Sequence, residues 1–556
     1  MSTEVNKKSN GFLLQGSILA AASIIVRVIG LVYRVPLTRI IGEDAIGYYQ
    51  TAFEFYSTAL LLSSYSLPLA VSKLVSARQI TGRYKDTWRV LFVSLIFAFV
   101  VGAAASLGVY FGADLYGRFN HTPLVAIPLR VLAPTIFVFS IMGVIRGFFQ
   151  GHGDMVPTAI SQIVEQIVNA AVSIAAAIYM VKRYAGTPER DAYGAAGGTW
   201  GTFIGACAGA LILIGIFFYR SGRHAEMVRS DESKEKERYS QILKILLLTV
   251  IPVVISQTVY QISAIVDVSI FHRTLQGKAF DTVTRNTWWG IYSGKYKLLT
   301  NVPVAVAAAM GTTIVPTLVA EIAKGRRDRV NGKIALTVKF NMIVAFPCAF
   351  GFMALGGPIL QMLFGDTRIL NTEMMQLGGS AVIFFALSTV TNGVLQGIHH
   401  MFIPVWHSFV ALIIHSVTLW LLLRFTELNA LALVICNILF ALIVCIMNAR
   451  SLRKLIGYKQ EWRTSFVIPL ISAAVMGAFA DICYRVMYYL IQCGIPKRPG
   501  INNMVSCLVT IGLCVFVFFA TLLLLGGVTE KEIEDMPKGR MLVKILRKLR
   551  LLRTQE

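Results

Sequence analysis

The chain has few charged residues for its length. Of its 556 residues only 15% are charged, 56% are hydrophobic, and the mean hydropathy is +0.66. A soluble domain carries about 25% charged residues. The composition therefore excludes an ordinary soluble protein and indicates a membrane protein.

Cysteine and histidine are also sparse, with eight of each. The cysteines stand singly, most of them inside apolar segments, and no Cys-x-x-Cys occurs, so neither a disulfide framework nor a zinc site is indicated. His407 and His415 are too far apart on one predicted helix to share an ion, and no carboxylate sits beside them. We expect no metal and no cofactor.

Acidic residues are fewer than basic ones: the chain has 29 Asp and Glu and 52 Lys and Arg, which gives a net charge of +23. This excess does not call for a nucleic acid partner, because anionic inner-leaflet lipid attracts basic loops. The loops on the predicted outer side are short and hold no catalytic carboxylate or histidine set. We therefore expect a transporter and not an enzyme; a membrane glycosyltransferase or polymerase is the enzymatic alternative.

Apolar segments long enough to cross a ~30 Å hydrocarbon core recur along the whole chain. Lys7 and Lys8 precede the first one, and no small-residue cleavage site follows, so we expect no cleavable signal. The predicted fold is an all-α polytopic membrane protein of about fourteen transmembrane helices. The predicted spans are 12–41, 48–74, 90–112, 124–146, 157–181, 194–219, 243–271, 289–320, 334–356, 374–397, 403–424, 428–449, 465–492 and 502–527.

The basic residues orient these spans. With the N-terminus inside, most Lys and Arg fall in inner loops and tails, as the positive-inside rule expects. Both termini are then cytoplasmic, in a bacterial plasma membrane. The predicted domains are an N-lobe (1–219), a cytoplasmic linker (220–242), a C-lobe (243–449), two added spans (450–527) and a basic amphipathic tail (528–556) that lies on anionic inner-leaflet lipid.

A copied signature supports two homologous six-helix lobes. Arg146–Gly151 reads RGFFQG and Asn392–Gly397 reads NGVLQG, and each copy ends an apolar segment shortly before a proline, Pro157 or Pro404. Internal repeats of this kind are typical of transporters whose substrate site lies near the membrane midplane.

Ionisable residues inside the spans are the candidate site, because a charge in hydrocarbon is costly unless it faces a partner or water. The substrate-binding candidates are Arg27, Arg34, Glu54, Glu165, Asp267, Lys295 and Lys297. Arg27 and Arg34 are two helical turns apart and share a face. Lys297 has the alternative of reaching lipid phosphate from near a span end.

Glu165 has two interpretations, an ion pair with an arginine or a proton or cation site. The ion pair is favoured because unpaired buried carboxylates are rare. The basic residues in spans one and eight favour an anionic, phosphate-bearing substrate, since an arginine fork fits phosphate oxygens. A cation-coupled drug exporter, which needs buried carboxylates such as Glu54 or Asp267, is the alternative.

Several segments together resemble a known family. Residues 146–168, the opening Ile29–Arg39, the stretch Gly42–Tyr49 and the segment 525–540 are similar to SpoVB-type polysaccharide transporters. That family lies in the multidrug/oligosaccharidyl-lipid/polysaccharide (MOP) exporter superfamily and includes MurJ-type lipid II flippases.

The resemblance implies a two-lobed flippase for an undecaprenyl-diphosphate-linked sugar precursor, with lipid II first among substrates and cell wall or spore cortex synthesis as its role. Arg27 and Arg34 match the essential arginines of helix one in MurJ-type proteins, and Lys295 or Lys297 stands where helix eight has arginine. The arginine of helix two has no counterpart here. The resemblance further implies coupling to membrane potential, Na⁺ or H⁺, and cell wall synthesis proteins as partners.

Overall fold

The computed structural model describes residues 2–220, 222, 226, 228–229, 231, 237–323, 327–398, 400–494 and 498–530. Within these ranges the chain forms helices joined by short turns, and they contain no strand. About half of the predicted linker, and the predicted tail beyond residue 530, lie outside the described residues. The all-α prediction is confirmed.

The helices are numbered in chain order. They are α1 (Ser2–Ile41), α2 (Glu43–Leu60), α3 (Leu67–Ile80), α4 (Tyr84–Phe119), α5 (Ala126–Gly151), α6 (Val156–Arg183), α7 (Arg190–Tyr219), α8 (Tyr239–Gly277), α9 (Thr282–Trp289), α10 (Lys297–Ala323), α11 (Arg327–Phe364), α12 (Ile369–Gly397), α13 (Phe402–Phe425), α14 (Ala430–Ile456), α15 (Ile468–Gly494) and α16 (Pro499–Leu524). Three π-helical turns, Leu61–Tyr65, Gly290–Tyr296 and Arg463–Val467, precede α3, α10 and α15.

Eleven segments of the described chain are long and apolar enough to cross a membrane. They cover predicted spans two to six and nine to fourteen, and α1, α8 and α10 occupy predicted spans one, seven and eight. Each predicted position therefore holds a helix. The number of helices identifies a multi-pass membrane protein, and the count of fourteen crossings stays a prediction.

The chain divides into two compact units, Met1–Gly290 and Ile291–Glu556. In the first unit, buried side chains of α3, α4, α5 and α8 form a common core that includes Val71, Val90, Phe148 and Leu246. In the second, a core built from α10, α11, α12, α15 and α16 includes Met342 and Phe518. The predicted lobe and linker boundaries stay predictions.

A stripe of glycines brings α6 and α7 together. Gly197, Gly201, Gly205 and Gly209 recur every fourth residue on α7 and face α6. A Cβ at Gly197 would lie 2.7 Å from the Cα of Ala177, and one at Gly205 would lie 2.6 Å from a backbone oxygen. Small residues at this spacing allow membrane helices to pack backbone against backbone.

Candidate functional site

The two arginines of α1 lie on one helix in different surroundings. Arg27 is exposed, whereas Arg34 is half-buried. The guanidinium carbon of Arg34 lies 5.8 Å from the centre of the Phe53 ring on α2. A cation over an aromatic face is attracted by the ring quadrupole, so the packing of α1 on α2 holds Arg34 in place.

Glu54 follows Phe53 on α2 and is half-buried. Its charge acts on Arg34, as do the phenols of Tyr33 and Tyr49, both of which are buried. The candidates Arg34 and Glu54 therefore belong to one polar group inside the first unit. An arginine that already faces a carboxylate and phenol oxygens can bind a further anion only through its remaining donors.

Glu165 forms an ion pair with Arg146, the first residue of the copied signature. An Nη atom of Arg146 on α5 lies 2.8 Å from Oε2 of Glu165 on α6, and the side chains are 10% and 20% exposed. Nε of Arg146 donates a further hydrogen bond of 3.0 Å to the Ser161 hydroxyl. The ion-pair interpretation of Glu165 is confirmed, and a proton or cation site is not required to explain this carboxylate.

The second copy of the signature has a neutral network at the corresponding place. Asn392 lies 246 positions after Arg146, and His407 lies 246 positions after Ser161. Nδ2 of Asn448 donates to Oδ1 of Asn392 at 2.8 Å, and Oδ1 of Asn448 lies 2.7 Å from Nδ1 of His407. Because that oxygen can only accept, His407 carries its proton on Nδ1.

His407 and His415 are therefore occupied by structural hydrogen bonds. Nε2 of His407 lies 3.3 Å from the Ser451 hydroxyl, and Nδ1 of His415 lies 2.9 Å from the carbonyl oxygen of Cys436. The described part of the chain has no cluster of three or more His, Cys, Asp or Glu residues that would suit a metal ion.

The two lysine candidates near the start of α10 differ in accessibility. Lys295 lies fully buried in the π turn, and its Nζ is 2.6 Å from Oδ2 of Asp366 in the turn between α11 and α12. Lys297 is half-buried, with Nζ 5.3 Å from the centre of the Tyr292 ring. Lys295 is therefore committed to an ion pair inside the second unit, and Lys297 is the more accessible amine.

Hydrogen bonding controls the ionisation of Asp366. Burial raises the pKa of this carboxyl, but hydrogen bonds from Lys295, from the Asn371 side chain and from the Arg368 backbone outweigh it and lower the pKa to about 2. The Asp366 carboxyl is thus charged at physiological pH and accepts the hydrogen bond from Lys295 as a carboxylate.

Asp267 is buried on α8 in the first unit. Like Lys295, it sits within a unit and is not presented to solvent. The structure thus brings Arg34 and Glu54 together. It pairs Glu165 with Arg146 and Lys295 with Asp366, and the sequence analysis predicted neither partner.

One sequence signal pointed toward the missed pair. The first position of the signature changes from Arg146 to Asn392 between the copies. A charged residue that is neutral in the second copy indicates a partner present only in the first lobe. Glu165 is that partner, since Ala411 stands at the corresponding place of the second copy.

Comparison with known sequences gives one family and several relatives. A family model described as "Polysaccharide biosynthesis protein" matches residues 13–321. The Lipid II flippase MurJ of Bacillus subtilis (strain 168) is 25% identical over 498 residues, 86% of this chain and 90% of the relative. Stage V sporulation protein B of the same organism is 21% identical over 473 residues, 84% and 89% of the two chains.

Solved structures share the fold. Lipid II flippase MurJ in an inward closed conformation superposes with a TM-score of 0.60 at 14% identity and covers 89% of this chain and 98% of its own. An inward-facing multidrug resistance MATE family transporter of the MOP superfamily gives a TM-score of 0.64 at 14% identity over 78% and 96%. The chain shares the fold of these two transporters. The family model matches more than half of the chain, so the chain belongs to the polysaccharide biosynthesis protein family, with MurJ and SpoVB among its relatives.

Proposed function

We propose that this protein is a flippase that moves a polyprenyl-diphosphate-linked sugar precursor from the inner to the outer leaflet by alternating access. Peptidoglycan lipid II is the first substrate to test, for cell wall or spore cortex synthesis. The observation that carries the proposal is the similarity to a lipid II flippase over 86% of the chain in sequence and 89% in structure. We place the protein in a bacterial plasma membrane with both termini cytoplasmic, in contact with cell wall synthesis proteins.

The α1 arginines are the proposed diphosphate ligands. Arg27 is exposed, so its planar fork is available for two phosphate oxygens. Arg34 is oriented by Phe53 and Glu54 and contributes positive charge two turns further along the same face. In the second unit Lys297, and not the buried Lys295, is the proposed contact for an anionic headgroup.

Flipping makes and breaks no bond, so no chemical reaction supplies free energy for net transport. The protein therefore needs another driving force. We propose coupling to membrane potential, Na⁺ or H⁺. Moving one elementary charge through the field supplies about 2.3 kcal/mol per 100 mV.

Growth of a strain depleted of its lipid II flippase tests the arginine assignment. Arg27→Ala should fail to restore growth at normal expression, since it removes a donor fork that nothing replaces. Arg27→Lys keeps the charge without the fork and should restore growth only in part. Arg118→Ala removes another exposed arginine, on α4, and should restore growth like the unmodified protein. Normal growth with Arg27→Ala would exclude Arg27 as a diphosphate ligand.

The MATE-like fold favours one second candidate function, cation-coupled drug export. Energised efflux of a cationic dye, lost in Glu54→Gln or Asp267→Asn, would support it. Absence of such efflux from cells in which the protein restores growth would leave the flippase as the only function of the two.

A further inference from the structure

A dense group of charges lies where α3 turns into α4. Four basic residues stand within twelve positions around the turn: Arg78, Arg83, Lys85 and Arg89. Of these, Arg78 is buried, with a relative exposure of 6%. Because an unpaired buried cation is costly, such a residue must be neutralised by nearby groups.

The segment that leads into α8 supplies the negative charge. Oε2 of Glu237 accepts hydrogen bonds from both Nε and an Nη of Arg78, and Oε1 lies 3.2 Å from an Nη of Arg83. The Glu237 backbone completes the contact: its N–H donates to Asp86 at 3.2 Å and its carbonyl oxygen accepts from Arg89 at 2.6 Å.

A second acidic residue of the same segment binds the same turn. Asp231 is buried, and its Oδ2 accepts a 2.6 Å hydrogen bond from the Lys85 backbone N–H. Nζ of Lys85 donates to the Asp231 carbonyl oxygen at 2.8 Å. Further along, the Arg89 guanidinium lies 5.2 Å from the centre of the Tyr239 ring at the start of α8. The described residues of this stretch thus contact the turn at Asp231, at Glu237 and at Tyr239, the first residue of α8.

These contacts position the first turns of α8. Ile242, Leu246 and Val250 follow at helical spacing and are buried in the core that they share with α3 and α4. The charged contacts and the apolar stripe therefore act on one helix end. Loss of the charges would leave the docking of this end to its apolar side chains alone.

The surroundings place the charges at a lipid boundary. Ile80 lies between Arg78 and Arg83 at the end of one candidate membrane span and is 83% exposed, and Phe92, two turns into the next span, is 57% exposed. Apolar side chains left uncovered at such a position face acyl chains. A fork of Arg78 and Arg83 that holds a carboxylate has the geometry to hold a lipid phosphate.

We propose that Asp231 and Glu237 form an ionic latch that holds the start of α8 against α3 and α4, and that the phosphate of an anionic phospholipid opens it by replacing Glu237 on Arg78 and Arg83. The latch is independent of the transported substrate. It makes the position of α8 sensitive to the charge of the surrounding leaflet.

Hydrogen–deuterium exchange of the amides of residues 243–250 measures the latch directly. In nanodiscs of phosphatidylcholine, Glu237→Gln should exchange these amides about tenfold faster than the unmodified protein, since one neutralised partner leaves buried arginine charge unpaired. Glu226→Gln is the matched control: it removes an exposed carboxylate from the same segment and should change nothing. Equal exchange in Glu237→Gln and the unmodified protein would overturn the latch.

Lipid composition tests the opening step without any substitution. Replacing part of the phosphatidylcholine by phosphatidylglycerol should speed exchange at 243–250 in the unmodified protein and leave Glu237→Gln unchanged. No effect of phosphatidylglycerol, or an equal effect on both proteins, would overturn the exchange of Glu237 for phosphate. If Glu237→Gln fails to fold, the same exchange is measured on the unmodified protein at low and at high salt. Exchange that rises severalfold as salt screens the charges is then expected, and exchange independent of salt would overturn the latch.

Discussion

The Arg146–Glu165 pair joins α5 to α6 in the first unit, and both side chains are largely buried. Burying a charge pair brings little net stability, but removing one member leaves the other unpaired in a poorly solvated place. Ser161 completes the pair by accepting from Nε. The pair therefore specifies how the two helices meet, and each member depends on the other.

A double-mutant cycle should show this dependence. Arg146→Met and Glu165→Gln should each lower the free energy of unfolding by about 3 kcal/mol, and the double variant should lose less than the sum, because no charge is then left alone. Thermal unfolding of the purified protein in detergent gives the comparison. Arg190→Met is the control: its ion pair with Asp191 is 40% and 30% exposed and should be worth about 1 kcal/mol or less. Additive losses would contradict a coupled pair.

The Lys295–Asp366 pair should make the free energy of unfolding depend on pH in the acidic range. The pKa of Asp366 is lowered from 3.8 to about 2 in the folded protein. A carboxyl with a depressed folded pKa contributes stability above its unfolded pKa and loses it as pH falls through the folded pKa. The contribution should thus be complete above pH 4 and disappear between about pH 4 and pH 2.

Thermal unfolding from pH 6 to pH 2 checks this prediction. The free energy of unfolding of the unmodified protein should exceed that of Asp366→Asn by a constant amount above pH 4. Below pH 4 this excess should shrink by about 1 kcal/mol, a modest value because part of the turn is open to water. Asp114→Asn, which breaks an exposed ion pair with Arg130, should show no comparable narrowing. A difference that does not change with pH would mean that the Asp366 carboxylate is not held by Lys295.

At the scale of elements, the hydropathy pattern predicted where helices lie better than where they begin and end. Span one was predicted from residue 12, whereas α1 begins at Ser2, because polar residues can continue a helix beyond an apolar core. The break in span two at Leu61–Tyr65 was not predicted. A π turn holds one more residue than an α-helical turn and can have the same apolar composition. A hydropathy pattern therefore does not distinguish the two kinds of turn.

The glycine stripe of α7 is an element-scale feature with a testable consequence. Gly205→Ala should lower the free energy of unfolding by about 1–3 kcal/mol, because its Cβ would meet the Glu165 backbone, which cannot rotate away. Gly215→Ala lies further along the same helix with no neighbouring atom within 4 Å and should be neutral or slightly stabilising. Thermal unfolding distinguishes the two, and equal midpoints would contradict close packing of α6 and α7.

At the scale of the whole molecule, the sequence alone predicted the class, the positions of the helices and the family. Composition and the recurrence of ~20-residue apolar segments predicted the class and the helices. The family was predicted from the resemblance of several segments, among them residues 146–168. The partners of Glu165 and Lys295 were not predicted, because each pair joins residues on different elements, 19 and 71 positions apart. Such pairings depend on tertiary packing. The change from Arg146 to Asn392 between the copies is a sequence signal for the first pair, and the sequence analysis found none for the second.

The measurement that tests the central claim most directly follows lipid II itself. In a strain depleted of its own flippase, this protein should restore the cleavage of lipid II by an externally added toxin that cuts the headgroup, because only outer-leaflet lipid II is reachable. Arg27→Ala, expressed at the same level, should not restore it. Absence of cleavage despite normal membrane expression of the unmodified protein would contradict lipid II flipping and point to a different polyprenyl-linked sugar.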